Sequence, residues 1–597
     1  MASTTPGLAA TAENLAQHWA RLLVEGLAAA GVMDVVVCPG SRSTPLVLAA
    51  DACARVRVHD LIDERSAAFF ALGQARATGR PSAVFYTSGT AGAHAYPAVI
   101  EAEHAHLPLV VVTANRPPEL WACDAAQTID QTRLFGAHAR AFALGAPEPQ
   151  PSALAALRRV AAQVVAATLT PTPGPVHLDV PLRKPLEPTP ATPAGAALSA
   201  LVERLVRGPA IEIAPAHLAP DPTALGQLAR LLARAERGIL VCGPLPAAEA
   251  SHRALLLAFA RAGGLALFAE ATSQLRFSGA AEPLRCDAFD TLLRSPALRA
   301  RLRPDLIVQL GGTPLSSGYE ALVAELPEVT RIVISPHAFA DPSGSPALHL
   351  RCSPAAVARA LAASPRPEGA VARAISTLSA RVMRAAAAIA GDGFGEAAVA
   401  RLTLAAAPPG SLLQLGNSLP IRTVEAFCDG ACADVTVLSQ RGANGIDGLV
   451  SGAAGAALAA RSPTTLLVGD VSFLHDLGGL LAARAVDSPL AIVVVQNDGG
   501  RIFDALPLGR VPGLEAARER HFVMPPRVDL AACVHGFGVE FAKADTSPGL
   551  AAELARAHAR AGCTVIEAIV PPDAAGRERA ALDRAATALC ATEGDLP

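Results

Sequence analysis

Two turns that offer oxygen ligands lie 27 residues apart in the last third of the chain. Asp470 follows the short apolar run 465–468, and Asn497 follows the apolar run 490–495, with Gly499 just beyond it. A carboxylate, a carboxamide and free turn carbonyls are hard oxygen donors, which suit Mg²⁺ bound together with a phosphorylated ligand. On its own, the stretch is equally compatible with an ordinary strand–helix–strand crossover that has polar turns.

The elements that must position these groups follow from the apolar pattern. Runs 465–468 and 490–495 predict buried strands, and the Leu- and Ala-rich segment 474–486 predicts a helix between them. A crossover of this length brings both strand ends to the same side of a parallel sheet. Open α/β sheets bind ligands at that edge, so Asp470 and Asn497 are predicted to share a site.

Polar turns also follow four predicted strands in the first third of the chain. The strands are 33–38, 56–61, 83–86 and 109–113. Ser41 and Arg42 lie in the first turn, where a strand end and a helix start suit an anion. Glu64 opens a predicted helix, a position where the helix dipole favours an acid for purely structural reasons. Each turn alone fits helix capping, but their repetition predicts a ligand site along one sheet edge.

The composition excludes several classes of protein. A chain of 597 residues with 51% hydrophobic and 17% charged residues predicts about three or four globular domains. No run of about 20 strongly apolar, uncharged residues predicts membrane insertion. The net charge of −3 gives no electrostatic basis for nucleic-acid binding. Without a basic segment followed by an apolar core at the N-terminus, we expect a cytoplasmic protein. The 11 scattered cysteines, including Cys428 and Cys432, are expected to be reduced, mostly buried thiols.

Several motifs, in a fixed order, make the interpretation specific. They are PGSRSTPL (39–46), DERSAAFFALG (63–73), TSGTA (87–91), ANRPPEL (114–120), LGNSLPIR (415–422), SQRGANGIDGLVS (439–451) and GD–x26–NDGGRIF (469–503). Together they resemble the 2-succinyl-5-enolpyruvyl-6-hydroxy-3-cyclohexene-1-carboxylate (MenD) synthases, thiamine-diphosphate (ThDP) enzymes of menaquinone biosynthesis. The resemblance covers most of the first and last thirds of the chain and is weak in the middle third.

The resemblance implies an α/β fold with three doubly wound parallel-sheet domains of the ThDP enzyme type. These are a pyrimidine-binding domain (1–190), a central α/β domain (200–365) and a diphosphate-binding domain (372–597). The Pro-rich stretches 186–198 and 363–370 are predicted linkers. Because such enzymes hold the cofactor between two chains, the resemblance also implies a homodimer or homotetramer.

The resemblance also implies roles for individual residues. Glu64 is the implied catalytic acid, hydrogen-bonded to N1′ of the cofactor pyrimidine. Implied cofactor contacts are Glu64, Ile446, Gly469, Asp470, Asn497 and Gly499. Asp470, Asn497 and the Gly499 carbonyl would hold Mg²⁺ or Mn²⁺. The implied substrates are 2-oxoglutarate and isochorismate, and the implied substrate-binding residues are Ser41, Arg42, Arg116, Gln127, Ser418, Arg422, Arg441, Ile502 and Phe503. Arginine suits these carboxylates because its fork binds them through two hydrogen bonds.

The chain departs from the family pattern at two places. Gln496 replaces the first Asn of the usual pair, next to the implied ligand Asn497. The segment GGTPLSSGYEAL (311–322) has no basic residue where the family has one near Ser317. Either one contact to a substrate carboxylate is weakened, or another residue such as Arg276 or Arg331 supplies the positive charge.

Two other functions remain open at the level of the sequence. One is a different ThDP-dependent 2-keto-acid decarboxylase or an acetolactate-synthase-like enzyme. Such an enzyme would use a small neutral acceptor, which does not need the set of Arg and Ser residues named above. The other is a catalytically silent subunit with the same fold, which would not need Glu64, Asp470 and Asn497.

Overall fold

A computed structural model describes residues 11–190, 192–344, 347–361 and 369–592. The chain forms two compact units. The first comprises the chain up to Ala216 together with Arg441–Asn444, and the second comprises the remainder.

The first unit contains a six-stranded, all-parallel sheet in the order β3-β2-β4-β5-β7-β6, with β1 and β8 paired apart from it. Its strands are β1 (Thr11–Ala12), β2 (Asp34–Val37), β3 (Arg57–Asp60), β4 (Ser82–Tyr86), β5 (Leu109–Asn115), β6 (Arg140–Ala143), β7 (Val176–Pro181) and β8 (Thr189–Pro190). Its helices are α1 (Leu15–Ala29), α2 (Thr44–Ala52), α3 (Glu64–Thr78), α4 (Tyr96–His104), α5 (Pro151–Leu169) and α6 (Pro193–Arg207). The central strands are Val-rich and fully buried, as expected for a parallel sheet covered by helices on both faces.

The second unit contains two parallel sheets, of which the first has the order β10-β9-β11-β12-β13. Its strands are β9 (Ile239–Cys242), β10 (Ala266–Ala269), β11 (Leu306–Leu310), β12 (Thr330–Ile334) and β13 (Leu348–Leu350). The helices along this part of the chain are α7 (Pro222–Arg234), α8 (Arg253–Ala262), α9 (Phe289–Leu293), α10 (Pro296–Leu302), α11 (Ser317–Glu325) and α12 (Pro354–Leu361).

The last sheet has the order β15-β14-β16-β17-β19-β18 and is also all parallel. Its strands are β14 (Ser411–Leu415), β15 (Val435–Ser439), β16 (Thr464–Gly469), β17 (Pro489–Gln496), β18 (Glu540–Ala544) and β19 (Gly562–Ile569). The helices are α13 (Ala370–Gly391), α14 (Glu396–Ala406), α15 (Leu419–Phe427), α16 (Leu449–Ala460), α17 (Asp470–His475), α18 (Leu480–Ala483), α19 (Ile502–Ala505), α20 (Glu515–Arg518), α21 (Leu530–Gly536), α22 (Ser547–Ala559) and α23 (Ala574–Thr592). Helices α13 and α23 pack instead in the core on one face of the preceding sheet.

Three doubly wound parallel sheets confirm the predicted fold class. In each sheet the strand order reverses next to its first strand: between β2 and β4, between β9 and β11, and between β14 and β16. Ligands of open α/β sheets bind in the crevice at such a reversal, outside the carboxyl ends of the strands. The predicted site residues of the first and last thirds therefore fall where the topology opens a crevice.

Two predicted elements differ from the structure. The helix predicted over 474–486 begins at Asp470 and is broken into α17 and α18. The break follows from packing, since Asp476 accepts hydrogen bonds from the backbone N–H (2.7 Å) and hydroxyl (3.0 Å) of Ser451. The predicted linker 186–198 is partly helical, because Thr192 caps α6 by accepting a hydrogen bond from Gly195 N–H. Of the second predicted linker, residues 363–368 lie outside the described residues.

Helix α5 is long and apolar enough to cross a membrane by length and composition alone. In the first unit it packs closely against α1, where a Cβ built at Gly26 would lie 2.7 Å from the Cβ of Ala161. Leu154, Leu157 and Val164 of α5 lie in the unit's hydrophobic core. Packing of one face of α5 in this core therefore accounts for the apolar residues on that face.

Candidate active site

The crevice of the first unit lies where the turns after β2 and β4 meet. A Cβ built at Gly40 would lie only 2.3 Å from the Cβ of Thr87, so glycine is required for the two turns to approach this closely. Ser41 follows Gly40 and is exposed. The contact brings the turn of Ser41 and Arg42 beside the turn of Thr87 and Ser88 at one sheet edge.

Arg42 and Arg116 place two positive charges at this edge. Arg42 is buried and donates a hydrogen bond to the Leu182 carbonyl (2.8 Å). Burial and then the charge of Arg116 lower the pKa of Arg42. Arg116 donates to the Ser88 hydroxyl and to the Ala126 carbonyl (3.0 Å). Among the described residues, neither guanidinium forms an ion pair with a carboxylate, so the pair keeps its charge for an anionic ligand.

Gln127 packs against the turn of Ser88 and Gly89. Its Nε2 donates to the Ser88 carbonyl (3.1 Å), and its backbone adopts a φ of +58°, an unusual conformation for a residue other than glycine. A Cβ built at Gly89 would lie 2.7 Å from the Gln127 side chain, so the two residues pack tightly. Strained conformations of this kind concentrate at binding sites. Ser41, Arg42, Arg116 and Gln127 thus gather around the turns that close this crevice.

Glu64 is the first residue of α3, next to the carboxyl ends of β2 and β3. A cavity of about 260 Å³ at these strand ends is lined by the side chains of Val47, Leu61 and Ile62, among others. Ile62 is 72% exposed. Burial and then the negative charge of Glu64 raise the pKa of the Cys38 thiol, which also lines this cavity. The Glu64 carboxylate therefore lies within electrostatic reach of a mostly apolar recess.

Arg441 begins the short segment 441–444, which belongs to the first unit. The backbone N–H groups of Gly442, Ala443 and Asn444 all donate to the carboxylate of Glu101, at 3.0, 2.7 and 3.0 Å. Five of the nine predicted substrate-binding residues therefore lie in this unit.

In the second unit, Asp470 and Gly499 meet at the ends of β16 and β17. The Oδ2 atom of Asp470 accepts a hydrogen bond from Gly499 N–H (2.8 Å), and Oδ1 accepts one from Val471 N–H (2.7 Å). Burial raises the pKa of Asp470, and these two backbone bonds oppose the shift. Gly499 has a φ of +114°, and a Cβ there would lie 2.5 Å from the Val523 carbonyl oxygen. Glycine is therefore required at this position.

Asn497 supplies the observation that best fits a bound cation. Its side chain is 5% exposed, and its Nδ2 donates to Oε1 of Glu396 (2.7 Å), while its buried Oδ1 accepts no hydrogen bond. Leaving a buried acceptor unpaired is costly unless a ligand satisfies it. Gln496 instead turns its Oε1 to the N–H of Asp498 (3.1 Å), so the departure at Gln496 leaves Asn497 in place.

The turns after β14 and β15 complete the crevice of the last sheet. The Nδ2 atom of Asn417 donates to the carbonyls of Gln440 (2.8 Å) and Gly445 (2.6 Å), which fixes the turn that leads to the half-buried Ile446. Ser418 has a φ of +73° at the start of α15, and its carbonyl accepts a hydrogen bond from the exposed Arg422 (2.8 Å). Gly469 precedes Asp470 at the end of β16, across the strand reversal from this turn.

Ile502 and Phe503 are the first residues of α19 and are half-buried. The ring of Phe503 lies edge-on to that of Phe522, with centroids 5.4 Å apart. Arg501 joins this turn to Glu519, the residue after α20, with two N–O distances of 3.0 Å. The apolar pair therefore stands on a braced turn just beyond Asn497 and Gly499.

Comparison with known proteins now defines the family. Residues 17–134 match the family described as "Thiamine pyrophosphate enzyme, N-terminal TPP binding domain", and residues 436–568 match the corresponding C-terminal TPP binding domain. A 2-succinyl-5-enolpyruvyl-6-hydroxy-3-cyclohexene-1-carboxylate synthase of Sorangium cellulosum is 49% identical, over 94% of both chains. A protein of the same description from Myxococcus xanthus is 40% identical, over 87% of this chain and 88% of its own. The chain belongs to the MenD synthase family.

Solved structures agree with this MenD chain at the level of the fold. A putative thiamin diphosphate-dependent enzyme of Mycobacterium smegmatis has a TM-score of 0.66 at 19% identity, over 94% of this chain and all of that chain. A 4-hydroxybenzoylformate decarboxylase of Rhodococcus jostii RHA1 has the same TM-score and identity, over 93% and 99%. The curated relatives confirm the resemblance in the sequence motifs, and the two matched domain families give ThDP as the cofactor class.

The structure assigns internal roles to both arginines considered as substitutes for the missing central-domain cation of MenD. Arg276 is fully buried and pairs with Glu425 at 2.8 Å. Arg331 is 3% exposed and pairs with Asp341 at 2.9 Å. Ser317 is exposed at the start of α11. Neither arginine presents its charge to the turn at Ser317, because burial and an internal carboxylate hold each in place.

Sequence reasoning missed two acids that the structure connects to the MenD motifs. Glu396, at the start of α14, binds Asn497, and burial raises its pKa to about 7. Glu101 binds the segment 442–444. A partial signal existed for Glu101, since it falls on the same helix face as Ala98 and Ala102, which are buried. An acid on an apolar helix face requires a partner, but the sequence could not name that partner.

Proposed function

We propose that this chain catalyses the ThDP-dependent decarboxylation of 2-oxoglutarate and the addition of the remaining four-carbon unit to isochorismate. The product would be 2-succinyl-5-enolpyruvyl-6-hydroxy-3-cyclohexene-1-carboxylate, as the names of its relatives state for them. This activity would place the chain in menaquinone biosynthesis.

The observation that carries the proposal is the pair Arg42 and Arg116. Both substrates are dianions, and a site for them needs cations that are not already neutralised. Burial and the charge of Arg116 lower the pKa of Arg42, which indicates that the two guanidiniums repel each other in the absence of an anion. A carboxylate bound between them would remove this repulsion. A small neutral acceptor, as in the alternative 2-keto-acid enzymes, would bring no carboxylate of its own to this pair.

The residues of the second unit fit a metal-bound diphosphate. Asp470, Asn497 and the Gly499 carbonyl would hold Mg²⁺ or Mn²⁺, and the unpaired Oδ1 of Asn497 is the donor that such an ion would satisfy. Burial raises the pKa of Asp470, so a cation beside it would stabilise its charged form. When bound, ThDP supplies the electron sink that accepts the electron pair released with CO2.

Glu64 is the proposed proton-handling residue. Its carboxylate would hold the proton at N1′ of the pyrimidine, in the mostly apolar recess at the ends of β2 and β3. The apolar side chains that line the recess lower the local dielectric constant, which strengthens such a hydrogen bond. Ser41, Gln127, Ser418, Arg422 and Arg441 would orient the substrate carboxylates and hydroxyls, while Ile446 supports the cofactor and Ile502 and Phe503 line the substrate pocket.

The assembly and location of the enzyme follow from the same proposal. Glu64 of one chain would act with Asp470 and Asn497 of a second copy, so the active form would be a homodimer or homotetramer in the cytoplasm. The exposed Ile62 beside the recess is an apolar group that a second copy could cover. The three domains would be 1–190, 200–365 and 372–597. Analytical ultracentrifugation that finds an active monomer would contradict the assembly.

The decisive experiment measures CO2 release and product formation with ThDP, Mg²⁺ and 2-oxoglutarate, with and without isochorismate. The proposal predicts CO2 release that depends on both substrates, with the adduct seen by mass spectrometry. Glu64→Gln should abolish nearly all turnover while the variant stays folded and binds ThDP. Glu212→Gln, the same change at an exposed position between α6 and α7, should leave turnover unchanged.

Other outcomes of this experiment identify the alternatives. CO2 release from 2-oxoglutarate alone, with no adduct, would indicate a ThDP decarboxylase with another acceptor. A catalytically silent subunit would release no CO2 with or without isochorismate, and Glu64→Gln would then have the same properties as the parent.

A further inference from the structure

The carboxylate of Glu101 lies inside the first unit, on the buried face of α4. Its side chain is completely buried. Four donors surround its two oxygen atoms. Oε1 accepts from the N–H of Gly442 (3.0 Å) and from the guanidinium of Arg76 (2.6 Å), and Oε2 accepts from the N–H groups of Ala443 (2.7 Å) and Asn444 (3.0 Å).

Three successive backbone N–H groups on one carboxylate fix the path of a backbone segment. Side-chain contacts leave a backbone free to rotate, but this arrangement restrains consecutive peptide planes of Gly442–Asn444 at once. A Cβ at Gly442 would lie 2.8 Å from the backbone N of Ala105, so the segment also lies directly against the end of α4. Arg441, immediately before this segment, is thereby held at a defined place in the unit that contains Arg42 and Arg116.

We propose that Glu101, supported by Arg76, is a positioning residue that sets the place of Arg441 for binding a substrate carboxylate. The inference rests on the proposed function of Arg441 and adds a residue that lies outside every recognised motif. Glu101 itself touches no substrate. It acts through the backbone of 442–444, and the hydrogen bond from Arg76 (2.6 Å) orients its carboxylate.

The test uses Glu101→Gln in the full-length protein. A carboxamide offers one acceptor oxygen and places an NH2 group against backbone donors, so at least one of the three backbone bonds must break. Hydrogen–deuterium exchange should show amides 442–444 exchanging roughly tenfold faster or more, since the loss of a hydrogen bond to a charged group changes a local opening equilibrium by about that factor. Glu103→Gln, the same change two residues along α4, should leave this exchange unchanged.

A kinetic cycle separates positioning from general damage. If Glu101 acts through Arg441, then Glu101→Gln and Arg441→Ala should each raise the KM of a carboxylate substrate, and the double variant should be no worse than Arg441→Ala alone. Additive effects, or a fall in kcat with KM unchanged, would overturn the proposal. If Glu101→Gln folds poorly, the double variant Arg76→Met/Glu101→Gln takes its place in these measurements, because it removes the buried cation together with its partner.

The exchange measurement does not depend on activity. If the parent protein lacks the synthase reaction but amides 442–444 are released by Glu101→Gln, the proposed function fails and the structural part of the inference survives. If those amides are unprotected in the parent, the positioning role of Glu101 is wrong whatever the enzyme does.

Discussion

Replacing Arg276 by methionine tests whether this arginine is a structural group or a substrate-binding one. Its guanidinium is fully buried and makes four hydrogen bonds: to the Glu425 carboxylate (2.8 Å), to the Glu425 carbonyl (2.9 Å) and to the Cys428 carbonyl from two nitrogens (2.6 and 3.2 Å). Glu425 keeps only the Ala271 N–H (2.8 Å) as a further donor to its carboxylate among the contacts described. Arg276→Met therefore leaves a buried carboxylate without its cation.

The expected loss is about 3–5 kcal/mol in the free energy of unfolding, the usual cost of removing one partner of a buried ion pair. Burial already raises the pKa of Glu425 and Arg276 opposes that shift, so the pKa of Glu425 should rise further in the variant. Guanidinium unfolding followed by circular dichroism measures the loss. Arg577→Met, which breaks an exposed pair with Asp573, should cost less than about 1 kcal/mol.

A double variant sharpens the test. Arg276→Met/Glu425→Leu removes both charges and should recover much of the lost stability, because a buried ion pair replaced by apolar groups is often close to neutral. The KM for 2-oxoglutarate should stay within about twofold of the parent in every variant that folds, a factor that corresponds to about 0.4 kcal/mol. A normal unfolding curve with a strongly raised KM would refute the structural role and restore Arg276 as the missing cation.

Three further predictions follow from single contacts. Burial lowers the pKa of His177 from 6.5 to about 4, so this histidine is protonated in the unfolded chain before it is protonated in the folded one as pH falls. The free energy of unfolding should therefore drop by up to about 3 kcal/mol between pH 6.5 and 4. His177→Gln should reduce this pH dependence in acid-unfolding curves. Gly499→Ala should cost about 1–3 kcal/mol of backbone strain and weaken ThDP binding in calorimetric titrations, whereas Gly576→Ala, with open space around it, should do neither. Asn497→Ala should raise the Mg²⁺ concentration for half-maximal ThDP binding by at least about tenfold, and equal Mg²⁺ dependence would exclude its Oδ1 as a ligand.

The parts of the fold that sequence predicts best are those set by local pattern. Apolar runs with polar turns predicted β16 and β17, and the rule that parallel strands end at one edge predicted that the turns of Asp470 and Asn497 would lie together. In the structure these two turns are joined by the 2.8 Å hydrogen bond from Gly499 N–H to Asp470. The break between α17 and α18 could not be predicted this way, since it depends on Asp476 reaching Ser451 on another helix.

The limits of sequence reasoning at the site have the same origin. Glu101 and Gly442 are 341 residues apart, and no spacing rule connects them. Arg276 and Arg331 were candidates because arginine suits carboxylates, and only burial distinguishes a guanidinium that binds Glu425 from one that awaits a substrate. Residue type predicts the chemistry of a group, whereas tertiary packing decides whether that chemistry is already used.

Helix α23 packs on the middle sheet although it lies far from that sheet in the sequence. Its side chains Leu582 and Ala586 share a core with Ile239 and Phe268 of the middle sheet, although all strands of the last sheet intervene in sequence. During translation α23 emerges after every strand described above, so the part of this core that α23 covers stays exposed until then, although α13 already packs on the same face. The middle segment is therefore not an independent module that could be excised or exchanged, and recombination between relatives should keep it together with its C-terminal helix.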